Sequence, residues 1–593
     1  MSSFPSPSLA WPPPPPDLAA DLEALWLGSG IPCDVACWHR RTGVCWATGH
    51  AVWPAASLIK VPLAIAAYQA ASRGALDLNE AVPVAPLPGD DEREFDNLSH
   101  APAHVRHAWR KILDRSLTES DNAATNALID RLGLDAIAPL CEALGLPQTG
   151  LRRRMLEPGA RAAGRENHTT AVEMAVILGR LAEGALLAPP ATAELLGLLG
   201  QQRSREKLAA GLPGGVPFAH KTGELPGHRH DAGLVGGDHG WVIVALTGPA
   251  PGREAEADTL LARTMAVVHA WVARLEAREA VAQAWLERGR EGGDPRLVHD
   301  TRSLAWLDGR LVLLGETTEP ARLAPPPSLG LGNGARLLVA RPGVVTAPCL
   351  QLRSGPGHAQ ELVSQARLGD GLELLDEVDE WTLVRTTDGY LAWGRSSNMA
   401  PGAAGEPDAI VTTPLVTVQA ADGRVLQLSA GTWLRWLRAH HYALGDGTEV
   451  SLAAADVRRL ASPPSVEAML GQAQRFLGVP YMWGGTTGWG IDCSGLVQLC
   501  HRLQGVALPR DADQQQAALV PVPAVADLMP GDPVFFPGHV GLYLGEGQYL
   551  HAAAGPGRVV VNSFDPASPV YDAPLLASFT GGGRTPLRAL AVP

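Results

Sequence analysis

Two groups of residues in this chain have the types and spacing for nucleophilic catalysis. The first is Cys493 in Asp492-Cys493-Ser494-Gly-Leu-Val, followed by His539 in Gly-His-Val-Gly-Leu-Tyr-Leu and His551 in Tyr-Leu-His-Ala. A cysteine becomes a nucleophile when an imidazole lies within hydrogen-bond reach and a third group orients that imidazole. Cys493 opens a predicted helix, whose N-terminal partial positive charge favours a thiolate, and two successive predicted strands carry the histidines. The second group begins with Ser57-Leu-Ile-Lys60, where a helix would put hydroxyl and amine one turn apart on one face. The lysine is then placed to hold or receive the serine proton. Ser120-Asp-Asn122 adds a hydroxyl and an amide at another helix start, and Lys221-Thr222-Gly-Glu224 precedes a strand-rich stretch. Cys500 and His501 lack comparable flanks and read as core residues.

The elements that must position these residues cannot belong to one core. The chain has 593 residues, and at roughly 100–200 residues per domain it predicts three to five domains. Apolar residues make up 46% and charged residues 18%, with 16 Trp, so each piece is able to bury a core. A net charge of −13 argues against a nucleic-acid partner, which needs clustered Lys and Arg. Small or peptide substrates fit better. The seven cysteines lack the paired spacing of a zinc site. Cys33 and Cys37 alternate as strand residues do, and all seven read as reduced thiols. No metal and no cofactor are expected. With no Lys or Arg before Arg40 and no apolar run of secretory or membrane-spanning length, a cytoplasmic protein without a membrane partner is expected.

Residues 1–16, ending in five prolines, read as a disordered tail. From residue 17 to 290, strand-like runs at 34–39 and 44–48 lead into helical stretches at 57–73, 108–115 and 121–132. A strand-rich end at 232–247 and a long helix near 254–290 follow, an α+β order. Residues 291–340 hold Gly-Gly-Asp-Pro and Pro-Pro-Pro-Ser and read as a linker, with a possible hairpin at 304–314. Short alternating strands over 341–400 and 401–460 suggest two small β-barrels. The segment 461–593 opens with a helix at 466–477, carries a second after Asp492, and ends in strands.

Residues 17 to about 275 resemble the class A β-lactamases and penicillin-binding proteins. The Ser-x-x-Lys, Ser-Asp-Asn and Lys-Thr-Gly elements occur in that family's order and approximate spacing. The resemblance implies an α/β sandwich in which Ser57 is acylated and Lys60 is its proton partner. Ser120 would shuttle a proton and Asn122 would hold the substrate amide. Lys221 and Thr222 would bind the substrate carboxylate, and the backbone amides of Ser57 and Glu224 would form the oxyanion hole. The chain departs from the family at the deacylating glutamate. Before Thr169-Thr170 it reads Glu157-Pro-Gly-Ala-Arg161, with Arg where the family has Asn and a shortened loop; Glu166 is a second, poorly placed candidate. Slow release of acyl groups is expected.

Residues 461–593 resemble the NlpC-type cell-wall cysteine peptidases, through Asp-Cys-Ser-Gly-Leu-Val, Pro-Gly-Asp-Pro-Val-Phe-Phe, Gly-His-Val-Gly-Leu-Tyr-Leu and Leu-His-Ala. This implies a papain-like α+β domain with Cys493 as nucleophile, His539 as base, His551 as its orienter and Tyr481 beside the sulfur. Residues 341–593 together resemble the cytosolic γ-D-glutamyl-L-diamino acid endopeptidases, in which SH3-like domains precede the peptidase. In that group an Arg-Asp-Ser motif and first-barrel residues bind the free amine of the substrate. Here Arg510 and Asp511 remain, but Ala512 lacks the hydroxyl. Tyr390 and Glu361 are the candidate barrel contributions, and Asp492 and Ser494 are further candidate substrate-binding residues. The whole reads as a bifunctional hydrolase of murein peptides, with β-lactams as a second ligand class. The alternative reading has the cysteine site alone catalytic and the serine domain a binding module without turnover.

Overall fold

The computed structural model describes residues 10–85, 105–237, 240–307 and 310–590, and the chain divides into two compact units. One comprises Met1–Leu286 with Leu304–Leu313 and Pro326–Asn333, the other Glu287–Ser303, Leu314–Pro325 and Gly334–Pro593. The predicted linker is therefore no separate spacer. Its short strands, Ser303–Leu307, Arg310–Leu314 and Glu316–Thr317, are divided between the two units. No helix among the described residues is long and apolar enough to cross a membrane.

The first unit is built on a five-stranded antiparallel sheet. Its order is Val44–Ala47, Cys33–His39, Trp241–Thr247, His228–Val235, Phe218–Leu225. The period-2 alternation of strand side chains separates two cores. Val35, Cys37, Ile243 and Ala245 pack with Leu18 and Leu22 of the helix Pro16–Ser29 and with Leu261, Met265 and Val268 of the helix Glu254–Arg288. Ala36, Trp38, Val242 and Val244 pack on the helical half that includes Lys60–Ser72, Asn122–Leu132 and Ala171–Ala182. Trp241–Thr247 is buried throughout because both faces are covered.

The expected N-terminal tail is a different matter. Residues 1–9 lie outside the described residues, but from residue 10 the chain packs on this unit. The Trp11 ring meets Trp38 edge-on at 6.2 Å, and the Pro12 carbonyl accepts from Ala47 N at 2.9 Å. Proline is suited to the first helical turn, and the helix Pro16–Ser29 uses Pro16 in that way.

The second unit holds three packed modules. A seven-stranded sheet spans Arg341–Val345 to Met399–Pro401, and a five-stranded sheet includes Ala409–Val411, Trp433–Arg438 and Val457–Arg459. Each has its own core, around Leu350, Leu352 and Val384 in the first and Val411, Leu428 and Leu434 in the second. The two predicted barrels are thus two β modules. Among the described residues, neither strand order is closed by a final pairing of its outer strands. The third module packs the helices Val466–Gln474, Cys493–Arg502 and Ala512–Ala518 with a six-stranded sheet ordered Val520–Val522, Gly581–Arg584, Pro533–Phe536, His539–Gly545, Gln548–Ala553, Arg558–Ser563. Arg367 joins all three modules: its buried guanidinium donates to the carbonyls of Ala430 and Thr486.

Candidate active sites

In the third module, Asp492 caps the helix Cys493–Arg502 by accepting from Gly495 N at 2.7 Å, which places Cys493 in the first turn. Cys493 is 8% exposed, and its sulfur accepts from the backbone amides of Val540 and Ser494. The Val540 contact brings the strand His539–Gly545 against the thiol. Burial pushes the Cys493 thiol up to about 11, with the Asp492 charge adding to the shift and the two amides opposing it. Desolvation thus opposes the helix-end stabilisation of a thiolate expected from sequence.

His539 Nε2 lies 2.7 Å from His551 Nδ1, and His551 Nε2 lies 3.2 Å from Asn562 Oδ1, whose Nδ2 donates to Asp572 Oδ2 at 3.0 Å. This chain fixes the protons. A carboxylate only accepts, so Asn562 must turn its amide nitrogen to Asp572 and its oxygen to His551. His551 then carries its proton on Nε2 and accepts through Nδ1, so His539 donates from Nε2. The lone pair of His539 is left on Nδ1, the nitrogen free to take the thiol proton. Asp572 is itself held as the cap of the helix Ala573–Ala577. Asn562 and Asp572 were not expected from the sequence. Asn562→Leu should lower kcat by ~10²-fold with KM and thermal midpoint nearly unchanged, because mixed tautomers leave the base in place but mis-set. An unaltered kcat would remove Asn562 from this role.

Burial, reinforced by the neighbouring His551, lowers His539 to about 4. The productive form pairs a neutral imidazole with a protonated thiol, so it persists from the His539 value up to the Cys493 value near 11. Because kcat/KM reports the free enzyme, peptidase activity should stay level across neutral pH and fall only as pH drops toward 4. An acid limb centred near the ordinary imidazole value would contradict this.

The cysteine opens into a pocket of about 500 Å³ whose lining includes Glu361, Tyr390, Trp483, Asp511 and Phe536. Tyr390, from the first β module, donates its hydroxyl to Asp511 Oδ2 at 3.2 Å. Glu361 Oε1 accepts from Trp483 Nε1 at 2.6 Å. Tyr481 is half-buried, and desolvation with the nearby Cys493 charge raises its hydroxyl to about 12, so it remains a donor. Arg510 lines the same pocket. It is 1% exposed, grips Asp492 with both terminal nitrogens at 2.5 and 3.1 Å, and donates to Ser494 Oγ at 2.9 Å and Ser364 Oγ at 3.2 Å. It is the counter-ion that a buried helix-capping carboxylate requires. Asp492 and Ser494 belong to the same buried clamp, and all three also line the Cys493 pocket. A residue the sequence reading passed over, Arg296, contacts Asp511 at 2.8 Å.

In the first unit, Ser57 lies in a 3₁₀ turn, Ala56–Ile59, that runs into the helix Lys60–Ser72. Ala56 before it and Ser120 opposite adopt φ of +46° and +60°. Such values cost a non-glycine residue ~1–2 kcal/mol and cluster at functional sites. The strand Phe218–Leu225 lies close along this turn: a Cβ on Gly223 would stand 3.2 Å from Ala56 Cβ and 3.3 Å from Leu58 Cγ, so a larger residue there would press on the turn. Lys60 is buried and donates to the Ser120 carbonyl at 2.6 Å, to Ser120 Oγ at 3.2 Å and to Asn122 Oδ1 at 3.0 Å. Lys221 donates to the same Ser120 Oγ at 3.0 Å and to the Thr222 carbonyl at 2.9 Å. With two ammonium donors on its oxygen, Ser120 can direct its own proton to a third group. The Glu224 side chain turns away to Lys207 Nζ, 2.9 Å away, which leaves only its backbone amide for the site.

Neither candidate deacylating glutamate joins this cluster. Glu157 accepts from Arg154 N at 3.0 Å within its own loop, and Glu166 is paired with Arg153 at 2.6 Å. The loop is fastened to the Ser-Asp-Asn helix by Arg154, whose Nη2 donates to Asp130 Oδ2 at 2.8 Å, and by Met155, whose backbone N–H donates to Asn126 Oδ1 at 2.7 Å and whose carbonyl accepts from Asn126 Nδ2 at 3.1 Å.

Comparison with known proteins agrees with this division. Residues 33–271 match the family model described as the Beta-lactamase enzyme family, residues 352–397 the Bacterial dipeptidyl-peptidase Sh3 domain, and residues 478–571 the NlpC/P60 family. The chain therefore joins a β-lactamase-like domain, a bacterial SH3-like domain and an NlpC/P60 domain, in that order, and the last is a cysteine-peptidase domain. Dipeptidyl-peptidase 6 of Lysinibacillus sphaericus is 28% identical over 270 residues, 40% of this chain and 98% of the relative. The Gamma-D-glutamyl-L-lysine dipeptidyl-peptidase of Bacillus cereus is 27% identical over 228 residues, 33% of this chain and 68% of its own length. A solved structure titled "Structure of PBP-A" is 24% identical, covering 44% of this chain and 99% of that one with a TM-score of 0.39.

Proposed function

We propose that this protein is a bifunctional cell-wall peptide hydrolase whose cysteine site cuts the bond between γ-D-glutamate and a diamino acid, while Ser57 is acylated by D-alanyl peptides or β-lactams. The observation that carries the first half is Cys493 at a helix start opening into a pocket walled by the first β module, with the neighbouring strand His539–Gly545 carrying the first member of a His539, His551, Asn562 chain, together with relatives named for γ-D-glutamyl peptide cleavage. In the reaction, His539 Nδ1 takes the thiol proton as sulfur attacks the γ-carbonyl. His539 then returns the proton to the departing amine, and water hydrolyses the thioester. Murein peptides are the proposed substrates, and the cytoplasm, where recycled wall peptides arrive, is the proposed compartment.

Cleavage of L-Ala-γ-D-Glu-diaminopimelate by single variants tests the roles. His539→Ala should be the more severe loss and His551→Ala the milder, since an orienter's removal leaves some productive imidazole poses. Equal and complete losses would overturn that assignment. The second half rests on Ser120 Oγ lying between Lys60 and Lys221 beside a positive-φ turn that presents Ser57.

A further inference from the structure

Arg296 is held more firmly than a surface arginine. Its Nη1 donates to Asp511 Oδ2 at 2.8 Å and Asp513 Oδ1 at 2.9 Å, and its Nη2 to Asp513 Oδ2 at 2.7 Å and Asp294 Oδ2 at 2.9 Å. Its Nε donates to Asp294 Oδ1, also at 2.9 Å. The backbone is fixed as well, for the Arg296 carbonyl accepts from Leu391 N at 2.6 Å, next to Tyr390. Asp294 is in turn held by Gln514 Nε2 at 2.8 Å. Displacing this guanidinium would mean breaking a multiply bonded ion cluster. It lies in the wall of the Cys493 pocket, on the carboxylate oxygen that also accepts from Tyr390.

From this we infer that Arg296 determines specificity at the cysteine site: it is a built-in cation occupying the place on Asp511 that a substrate's terminal ammonium would take. The inference rests on the proposed reading of this pocket and refines its substrate class. An arriving ammonium meets a carboxylate whose Oδ2 is already engaged by a tyrosine hydroxyl and a guanidinium, so it would have to share or displace partners already in place. A free amine therefore adds little to binding, and peptides whose first amino group is acylated, as in wall fragments still joined to their sugar, are accepted about as well as free ones. This alters the expectation from Asp511 alone, that a free amine is required.

Binding measures this apart from turnover. In Cys493→Ala protein, titration calorimetry with L-Ala-γ-D-Glu and with its N-acetyl form should give affinities within about threefold. Adding Arg296→Gln should raise the preference for the free amine by ~10-fold or more, as exposing a close charge partner does. A further Asp511→Asn should erase the gain, which shows that the selectivity comes from the carboxylate and not from a disturbed linker. An unchanged preference in the Arg296→Gln protein, with its thermal midpoint retained, overturns the inference even if the wild type cleaves γ-D-glutamyl peptides. A shifted preference sustains it even if cleavage of that bond is not found.

Discussion

Replacing Cys493 with alanine is expected to abolish peptide cleavage, a loss of up to ~10⁶-fold in kcat, while covalent labelling of Ser57 by a fluorescent penicillin proceeds at the wild-type rate. The two proposed nucleophiles belong to different compact units, and so do the proton-transfer groups proposed for each. His539, His551 and Asn562 share the unit of Cys493, and Lys60, Lys221 and Ser120 share that of Ser57. Peptide kinetics and in-gel fluorescence on the same preparation make the comparison. Loss of both activities with an unchanged melting curve would mean that the sites are coupled.

The penicillin label on Ser57 is expected to persist, outlasting that on a β-lactamase with a working deacylating base by about 10²–10⁴-fold. Acylation needs the serine, a proton partner and oxyanion amides, the parts proposed here for Ser57 in the 3₁₀ turn Ala56–Ile59, Lys60 and the Ser57 and Glu224 amides. Deacylation needs a base for water. Glu157 is engaged with Arg154 N, Glu166 is held by Arg153, and the loop position clamped by Asn126 is a methionine. Label retention with time should therefore be the same in Glu157→Gln as in the wild type and absent in Ser57→Ala. Rapid multiple-turnover hydrolysis of nitrocefin that Glu157→Gln abolishes would show that the loop does activate water.

The residues readable from sequence were those whose chemistry is carried by neighbours in the chain. Cys493, His539, His551, Ser57, Lys60 and Ser120 each sit in a short motif whose flanking residues set the local backbone, so type and spacing were enough to single them out. Those not readable act across long separations. Asn562 and Asp572 come 11 and 10 residues after the groups they orient, and in sequence they look like ordinary polar surface. Arg296 reaches Asp511 from 215 residues away out of a segment that reads as a linker. Arg510 shows the opposite limit. Its motif was visible, but only the folded structure shows that it is also the counter-ion of the capping Asp492. The proline run misled for a related reason: composition shows that it cannot join a sheet, while the Trp11 and Pro12 contacts that hold it depend on where Trp38 and Ala47 lie. The thiol of Cys493 followed the same logic, since a helix start is visible in sequence and the desolvation that opposes it is not.

The measurement that bears most directly on the central claim is mass spectrometry of products from L-Ala-γ-D-Glu-diaminopimelate incubated with the full-length protein. The proposed function predicts two products, L-Ala-γ-D-Glu and free diaminopimelate, formed by the wild type and by Ser57→Ala but not by Cys493→Ala. Release of L-alanine, or the same products from Cys493→Ala, would contradict a cysteine peptidase acting at the γ-D-glutamyl bond.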